Sequence, residues 1–212
     1  VLLAASVLPA ADLPTAARFA DAGQRLVPHY AAGEAWTTRV RVANPLPSVQ
    51  RYRLSAYNPQ GNTQTLRFND TSAAQFEADI PAFGVSDVTL TSTEGLKTGF
   101  LSVFFLTDTR VKLPVTVFFR TTDPYNTEGA VSWDSKEDIQ SQFIPYDNTS
   151  GSQTGIAVAD VMPLGGSNSA RVDMDCYDQF GNSIGSAPAL TVGVQQASFD
   201  LGDRLQQIRE AF

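Results

Sequence analysis

Hydrophobic and polar residues alternate along several short segments of this chain. In residues 37–43, Val40 and Val42 alternate with arginines, and residues 51–57 repeat the pattern with Tyr52 and Leu54 on the apolar side. Further segments of this kind lie at 85–90, 100–105 and 111–119, separated by clusters of Pro, Gly, Asn and Asp. Successive side chains of a strand point to opposite faces, so a period of two predicts strands. No long segment has helical periodicity, and the pattern predicts an antiparallel β-sandwich.

The N-terminal segment has a different character. Residues 1–11 (VLLAASVLPAA) are strongly apolar but too short to span a bilayer, and they lack the basic start of a signal peptide. We therefore interpret them as ordered mature chain that is buried against a partner surface, which the sequence does not identify. Residues 12–23 predict one short helix, with Pro14 at its first position and Gly23 at its end.

The two halves of the chain contain the same motifs in the same order. The pattern Tyr-Asx-x-x-Gly-Asn occurs at 57–62 and at 177–182, after the matching segments RYRLSAY and RVDMDCY. Asx begins a hairpin turn, and Gly and Asn tolerate positive φ. Other matches pair 27–30 with 144–146, 39–44 with 155–160, 83–85 with 192–194 and 88–90 with 199–201. Five matches in one order indicate a tandem repeat.

These motifs resemble the tandem β-sandwich repeats of large secreted and surface proteins from environmental bacteria. The matching residues are Pro28-His29-Tyr30, Gly33, Trp36-Thr37-Thr38, Asn44-Pro45, Gly61-Asn62 and Pro81-Ala82-Phe83-Gly84. The resemblance covers about residues 26–205 and implies an extracellular structural or adhesive role. Its motifs are fold markers, and it implies no catalytic residues. The second repeat departs from the pattern because it lacks the Trp-Thr-Thr and the Asn-Pro.

The predicted fold class is all-β, with two tandem antiparallel immunoglobulin-like sandwiches. Residues 1–25 form an extended segment and a short helix, 26–122 the first sandwich, 123–138 a linker with a short strand at 130–133, and 139–212 the second sandwich. Two strong strands follow Leu90 in the first repeat, whereas only residues 202–212 follow the matching Leu201. The second sandwich is therefore expected to lack one or two C-terminal strands.

Two explanations fit an incomplete second repeat. Either the natural chain continues beyond Phe212, or another segment fills the gap, and the two can coexist. In the second explanation, residues 1–8, which are apolar and have a suitable length, extend away from their own domains and insert into the second repeat of a neighbouring copy. Such head-to-tail contacts would build a homopolymer. The contact residues in this hypothesis are Val1, Leu2, Leu3, Val7 and Leu8.

Composition excludes some classes of function. The chain of 212 residues has a net charge of −7, and its basic residues form no stripe for nucleic acid. The four arginines Arg39, Arg41, Arg51 and Arg53 are expected to share one solvated face. The single cysteine, Cys176, alternates with apolar neighbours, which predicts a buried thiol and no disulfide within the chain. Secretion without disulfides favours a bacterial or archaeal source.

The sequence offers few residues for catalysis. His29 is expected in a loop before a strand and has no partners at the spacing of a triad or a metal site, so no enzyme activity and no cofactor are predicted. Asp173, Asp175 and Asp178 are a candidate Ca²⁺ site, since Ca²⁺ takes carboxylate oxygens. Alternatively, Asp173 and Asp175 are a glycosidase pair, or the acids belong to an exposed strand face that resists edge pairing. We favour the exposed face.

Two hypotheses for function remain. The first is a structural or assembly protein of the bacterial cell surface, such as a filament or sheath subunit. The second is a carbohydrate- or surface-binding module of a larger secreted protein, in which Trp36 and Trp133 stack on sugar rings. A hydrolase is a third, weaker alternative. All place the protein outside the cell, without a membrane span.

Overall fold

The computed structural model describes residues 2–7, 24–108, 113–121, 128–133, 141–145, 155–159, 170–178, 180–192 and 196–200. All secondary structure in these ranges is β, without a helix, and every strand pairing is antiparallel. The chain divides into two compact units. The first unit is Ala17–Ser135, and the second unit is Lys136–Phe212 together with Val1–Ala16.

Within its described residues, the first unit contains ten strands in two sheets. They are β2 (Gln24–Ala32), β3 (Trp36–Ala43), β4 (Gln50–Tyr57), β5 (Leu66–Phe68), β6 (Thr71–Ala73), β7 (Gln75–Ile80), β8 (Val85–Thr91), β9 (Lys97–Phe105), β10 (Val115–Thr121) and β11 (Glu128–Trp133). One sheet has the order β11-β10-β3-β8-β5-β6, and the other has the order β2-β9-β4-β7.

The two sheets of the first unit enclose one hydrophobic core, which makes the unit sandwich-like. The six-stranded sheet contributes Val40, Val42 and Leu90, and the four-stranded sheet contributes Tyr52 and Leu54, all essentially inaccessible to solvent. The alternation in the sequence predicted these residues on the inner faces, and the burial confirms it. Burial of apolar side chains at about 25 cal/mol per Å² supplies the main stabilisation of such a core.

The remaining six of the described strands belong to the second unit. They are β1 (Leu2–Val7), β12 (Ser141–Pro145), β13 (Gly155–Ala159), β14 (Ala170–Tyr177), β15 (Ser183–Val192) and β16 (Gln196–Asp200). One sheet has the order β12-β1-β14-β15, and β13 pairs with β16 in the other. In the described part of β14, Met174 and Cys176 are buried, which confirms the prediction for the thiol.

The predicted strands of the first repeat are present with small changes at their ends. The predicted strand 111–119 begins later, at Val115, directly after Pro114, which has no N–H for the ladder. Part of the predicted linker is the strand β11, which pairs with β10 and so belongs to the first unit. The predicted helix at 12–23 lies outside the described residues.

Candidate assembly site

The place of β1 in the second unit defines the candidate site. Strand β1 lies between β12 and β14 and is antiparallel to both. Its Leu3 pairs with Ile144 on one side and with Cys176 on the other. In the first unit, β9 lies in the same way between β2 and β4. We call the space between β12 and β14 the strand slot of the second unit.

Strand β1 occupies its slot in the register that β9 has in the first unit. The repeat motifs align Ile144 with Val27, and Tyr177 with Tyr57. The corresponding pairs are Leu101 with Val27 and Leu3 with Ile144 on one side, and Phe100 with Tyr57 and Leu2 with Tyr177 on the other. Both neighbours independently place Leu2 where the first unit has Phe100. Strand β1 is therefore the counterpart of β9, although it precedes the repeat in sequence.

The second ladder of the second unit also reproduces the first unit. The aligned pairs are Val40 with Val88 and Ile156 with Phe199, then Val42 with Ser86 and Val158 with Ala197. On its other side β3 pairs with β10. Among the described residues, β13 has no strand on that side. Among the described strands of the second unit, none takes the place of β10 beside β13 or the place of β5 beside β16.

The repeated turn is the same structure in both units. In the first unit, the Oδ1 atom of Asn58 accepts hydrogen bonds from the N–H groups of Gln60 and Asn62, at 3.0 and 2.9 Å. In the second unit, Asp178 accepts the corresponding bonds from Phe180 and Asn182, both at 2.8 Å. Gly61 and Gly181 have φ values of 82° and 84°. The turns that follow β4 and β14 are therefore equivalent in their hydrogen bonds and in the conformation of their glycine.

The position of β1 corrects the expectation for residues 1–8. They were expected to extend away from their own domains, but Leu2–Val7 pairs with strands of its own chain. The physical reason is that the chain's own open slot is available to the segment without the entropy cost of joining two molecules. Exchange of this strand between copies, and the contact roles of Val1, Leu2, Leu3, Val7 and Leu8, stay predictions.

The three acidic candidates do not form one site. No group of three metal-binding side chains occurs within the described residues, which include all three of these acids. The Asp175 carboxylate accepts a hydrogen bond of 2.6 Å from the Ser186 hydroxyl. Both oxygens of Asp178 bind within its turn, the second accepting from Nδ2 of Asn182 at 2.8 Å. These hydrogen bonds from Asn182 lower the pKa of Asp178 below its usual range.

The two tryptophans lie at opposite ends of one sheet. Trp36, at the start of β3, is opposite Thr121, whereas Trp133, at the end of β11, is opposite Val115. Val115 and Thr121 are six steps apart along β10 (121 − 115 = 6), or about 20 Å. Trp36 is 39% exposed, and the side chain of Trp133 lies outside the described part of the chain. The fold therefore does not combine the two residues into one stacking platform.

His29 lies within β2 and not in a loop, which corrects that prediction. The pairing of β2 with β9 is irregular between Val27 and Tyr30, so the period of two breaks at His29. Its ring is 5.6 Å from the ring of Phe119, centroid to centroid, and burial lowers its pKa. Cys176 is equally unsuited to nucleophilic chemistry, because burial and the nearby Asp175 raise the pKa of its thiol.

The four arginines do not share one face. Arg39 and Arg41 lie on β3, and Arg51 and Arg53 lie on β4, in different sheets of the sandwich. Arg41 forms a two-bond ion pair with Asp87, with N–O distances of 3.0 and 2.8 Å. Glu77 similarly accepts from Arg51 and Arg53. These ion pairs therefore form within each sheet. The prediction failed because the sequence pattern does not say to which sheet a strand belongs.

Sequence reasoning did not give Asn44 a physical role, although the Asn-Pro motif marked it. Asn44 is 2% exposed. Its Nδ2 atom donates to the carbonyls of Ser48 and Pro81 at 2.8 and 2.9 Å, and its Oδ1 atom accepts from the N–H of Leu46 at 3.0 Å. This one side chain joins the β3–β4 loop to the β7–β8 turn.

The β7–β8 turn also exposes an aromatic side chain that the sequence did not predict. Phe83 is 73% exposed and has a φ of 55°, a conformation that costs a residue with a Cβ about 1–2 kcal/mol. Alternation does not extend into turns, so no sequence signal indicated the exposure of Phe83.

Comparison of the chain with protein-family models, with curated proteins and with solved structures found no match. Across the described part of the chain, no helix has the length and apolar character needed to cross a membrane.

Proposed function

We propose that the protein is a non-catalytic structural or assembly component of a bacterial cell surface, built from tandem immunoglobulin-like repeats. The observation that supports this most directly is the repetition of two strand ladders, register for register, in both units. Tandem repetition of one module suits a structural protein that forms an extended chain of domains and connects other components. The resemblance of the sequence motifs to repeats of secreted and surface proteins supports the same location.

The second unit is the part that we assign to assembly. Its strand slot holds a segment from the far end of the sequence, and its β13 lacks a described counterpart of β10. Unpaired backbone donors and acceptors along a strand favour pairing with another polypeptide. A component that joins to others through such an edge needs neither a cofactor nor a catalytic group.

Immunogold electron microscopy of the producing bacterium tests this proposal. An antibody against the first unit should label ordered material at the cell surface, and the label should remain after washing with high salt. Label that is diffuse in the medium, or confined to the cytoplasm, would contradict a structural role. Clear turnover of ester, peptide or glycoside substrates, removed by Asp175→Asn, would contradict the non-catalytic assignment.

A carbohydrate- or surface-binding module is the second candidate, and the exposure of Trp36 supports it. Glycan-array binding by the chain that Trp36→Ala abolishes would favour this role. Phe83→Ala is the matched control, since Phe83 is an exposed aromatic residue at another place in the first unit.

A further inference from the structure

The first unit contains a small surface cavity beside β5 and β6, the last two strands of its six-stranded sheet. The turn between β8 and β9 forms the other side of the cavity. Its volume is about 290 Å³, at the lower limit of the roughly 300–1,000 Å³ that small-molecule sites span. Leu66, which is 2% exposed, is the one apolar residue of its lining. The size and the polar lining suit a small polar ligand.

Hydroxyl groups form a large part of the lining. Thr65 precedes β5, Ser72 lies on β6, and Ser92 and Thr93 lie in the β8–β9 turn. Ser72 pairs with Arg67 across β5 and β6, so these two side chains share one face. Within the described part of the chain, the hydroxyls of Thr65, Ser72 and Thr93 form no hydrogen bond. They are therefore available to a ligand.

The charged groups of the lining form two ion pairs. Arg67 donates to the carboxylate of Asp70 at 3.3 Å, and Lys97 donates to the carboxylate of Glu94 at 2.7 Å. The hydrogen bond from Lys97 lowers the pKa of Glu94, so this carboxyl stays ionised at neutral pH. The lining therefore has no net charge. An anion would meet two carboxylates and a cation would meet two basic groups, so the site favours a neutral ligand.

The same groups still have hydrogen-bonding capacity of both kinds. An ammonium group has three donors, and Lys97 uses two of them, to Glu94 and to the carbonyl of Thr65 at 3.1 Å. Only one oxygen of Asp70 and one oxygen of Glu94 accept a hydrogen bond from any described residue. A hydroxyl group both donates and accepts. A ligand with several hydroxyl groups therefore uses the remaining donors and the remaining acceptors together.

Backbone contacts fix the frame of the cavity before a ligand binds. Asn69, in the β5–β6 turn, has a φ of 51°, a conformation that asparagine tolerates. Its N–H donates to the carbonyl of Thr89 at 2.7 Å, and its Oδ1 atom accepts from the N–H of Thr89 at 2.9 Å. The bond from Lys97 to Thr65 joins the start of β9 to the residue before β5. A site that is held in this way loses little conformational entropy on binding.

From these observations we propose that the cavity between β5, β6 and the β8–β9 turn binds one ring of a neutral carbohydrate. A sugar ring is small, uncharged and rich in hydroxyl groups, which are the properties that the volume, the charge balance and the lining select. The inference rests on the second candidate function for the class of ligand and gives it a site that does not include Trp36. It is independent of the assembly role.

NMR titration of the isotope-labelled full chain tests the proposal. The neutral probes are D-glucose, D-galactose, D-mannose and N-acetyl-D-glucosamine, and the charged counterparts are D-glucuronate and D-glucosamine. We expect at least one neutral sugar to shift the amide signals of residues 65–72 and 92–97 in a saturable way. Neither charged sugar should bind more tightly than the best neutral one, because each meets like charges in the lining.

Two neighbouring residues of β6 give a matched pair of variants. Ser72→Ile fills part of the cavity and removes a hydroxyl. Thr71→Ile is the control, since Thr71 is exposed, does not line the cavity and points to the opposite face. Both place a β-branched residue in a strand, which strands accept. Ser72→Ile should weaken binding by about tenfold or more, and Thr71→Ile by less than about twofold, because only the first leaves ligand hydroxyls unpaired. Thr93→Leu, in the β8–β9 turn, provides the same test if Ser72→Ile does not fold.

Several results would overturn the proposal. They are the absence of saturable binding for all four neutral sugars, tighter binding of a charged sugar, and equal affinities of Ser72→Ile and Thr71→Ile. Binding that Trp36→Ala abolishes and Ser72→Ile leaves unchanged would also overturn it, while supporting the second candidate function at Trp36. Antibody labelling at the cell surface does not depend on these titrations, so the structural proposal and this one can fail separately.

Discussion

The clearest test of the interactions in the first unit is the same substitution at two asparagines. Asn44 uses its amide group to donate two hydrogen bonds, to Ser48 and Pro81, in a site that is 2% exposed. Asn58 uses its side chain only to accept, and its turn counterpart in the second unit is already an aspartate, Asp178. We therefore expect Asn44→Asp to be strongly destabilising and Asn58→Asp to be nearly neutral.

The magnitude for Asn44→Asp follows from its hydrogen bonds. Two lost donations cost about 1 kcal/mol each, and placing a carboxylate against two buried carbonyl oxygens adds at least that much again. The free energy of unfolding should fall by about 3 kcal/mol or more at pH 7. Asn44→Ala, which also loses the bond from Leu46, should cost about 3 kcal/mol, whereas Asn58→Asp should change stability by less than about 0.5 kcal/mol.

The effect of Asn44→Asp should also depend on pH. Burial against carbonyl oxygens raises the pKa of the new carboxyl in the folded state above its unfolded value of about 3.9. Its proton can then restore one donated hydrogen bond. The penalty is complete above the folded-state pKa, decreases as the pH falls through that value, and reaches its minimum below the unfolded-state pKa.

Urea denaturation measures both variants, followed by tryptophan fluorescence. Both tryptophans lie in the first unit, so the signal reports the unit that contains the substitutions. Equal stability changes for Asn44→Asp and Asn58→Asp, or a penalty at Asn44 that does not decrease between pH 7 and pH 4, would refute the reasoning.

Three further predictions concern other residues of the described chain. Leu54→Ala should lower the free energy of unfolding by about 2–5 kcal/mol in urea denaturation, since Leu54 is fully buried, and a change below 1 kcal/mol would contradict its place in the core. In carboxyl NMR titration, the pKa of Asp178 should lie below the usual aspartate value, and Asn182→Ala should raise it. The stability that this group contributes is present above the unfolded-state pKa and is lost as the pH falls through the folded-state pKa. An unchanged Asp178 pKa in the variant would argue against the turn geometry. In imidazole NMR titration, the pKa of His29 should lie below 6.5. Because the unfolded state then binds the proton more readily, the free energy of unfolding decreases as the pH falls below about 6.5. A normal His29 pKa would place the ring in solvent.

The sequence predicted the first unit better than it predicted the contacts of the second. Alternation identified Val40, Val42, Tyr52 and Leu54 as core residues because a strand with one buried face must alternate. The Tyr-Asx-x-x-Gly-Asn motif predicted both turns because its residues determine local geometry. Local patterns of this kind depend only on neighbouring residues.

The missed contacts of β1 and of the four arginines are non-local. An apolar segment such as residues 2–7 can complete any slot that accepts its register, and its sequence does not say in which molecule that slot lies. The strand makes the same ladder contacts whether it pairs within its own chain or with a neighbouring copy. Only the length of the connecting segment and the protein concentration decide between the two arrangements. The arginines of β3 and β4 were likewise assigned to one face, which was wrong. The sequence of a strand does not determine which sheet it joins or which strands lie beside it.

A cysteine cross-link tests most directly whether β1 holds the place of β9 within its own chain. Leu3 pairs directly with Cys176, the only cysteine, so Leu3→Cys creates one possible disulfide partner at cross-strand distance. Ala4→Cys is the control, because the next residue of a strand points to the opposite face. After mild oxidation, non-reducing electrophoresis and thiol counting should show a cross-linked monomer for Leu3→Cys and free thiols for Ala4→Cys. Disulfide-linked dimers or longer chains from Leu3→Cys, or the same reactivity in both variants, would contradict the account.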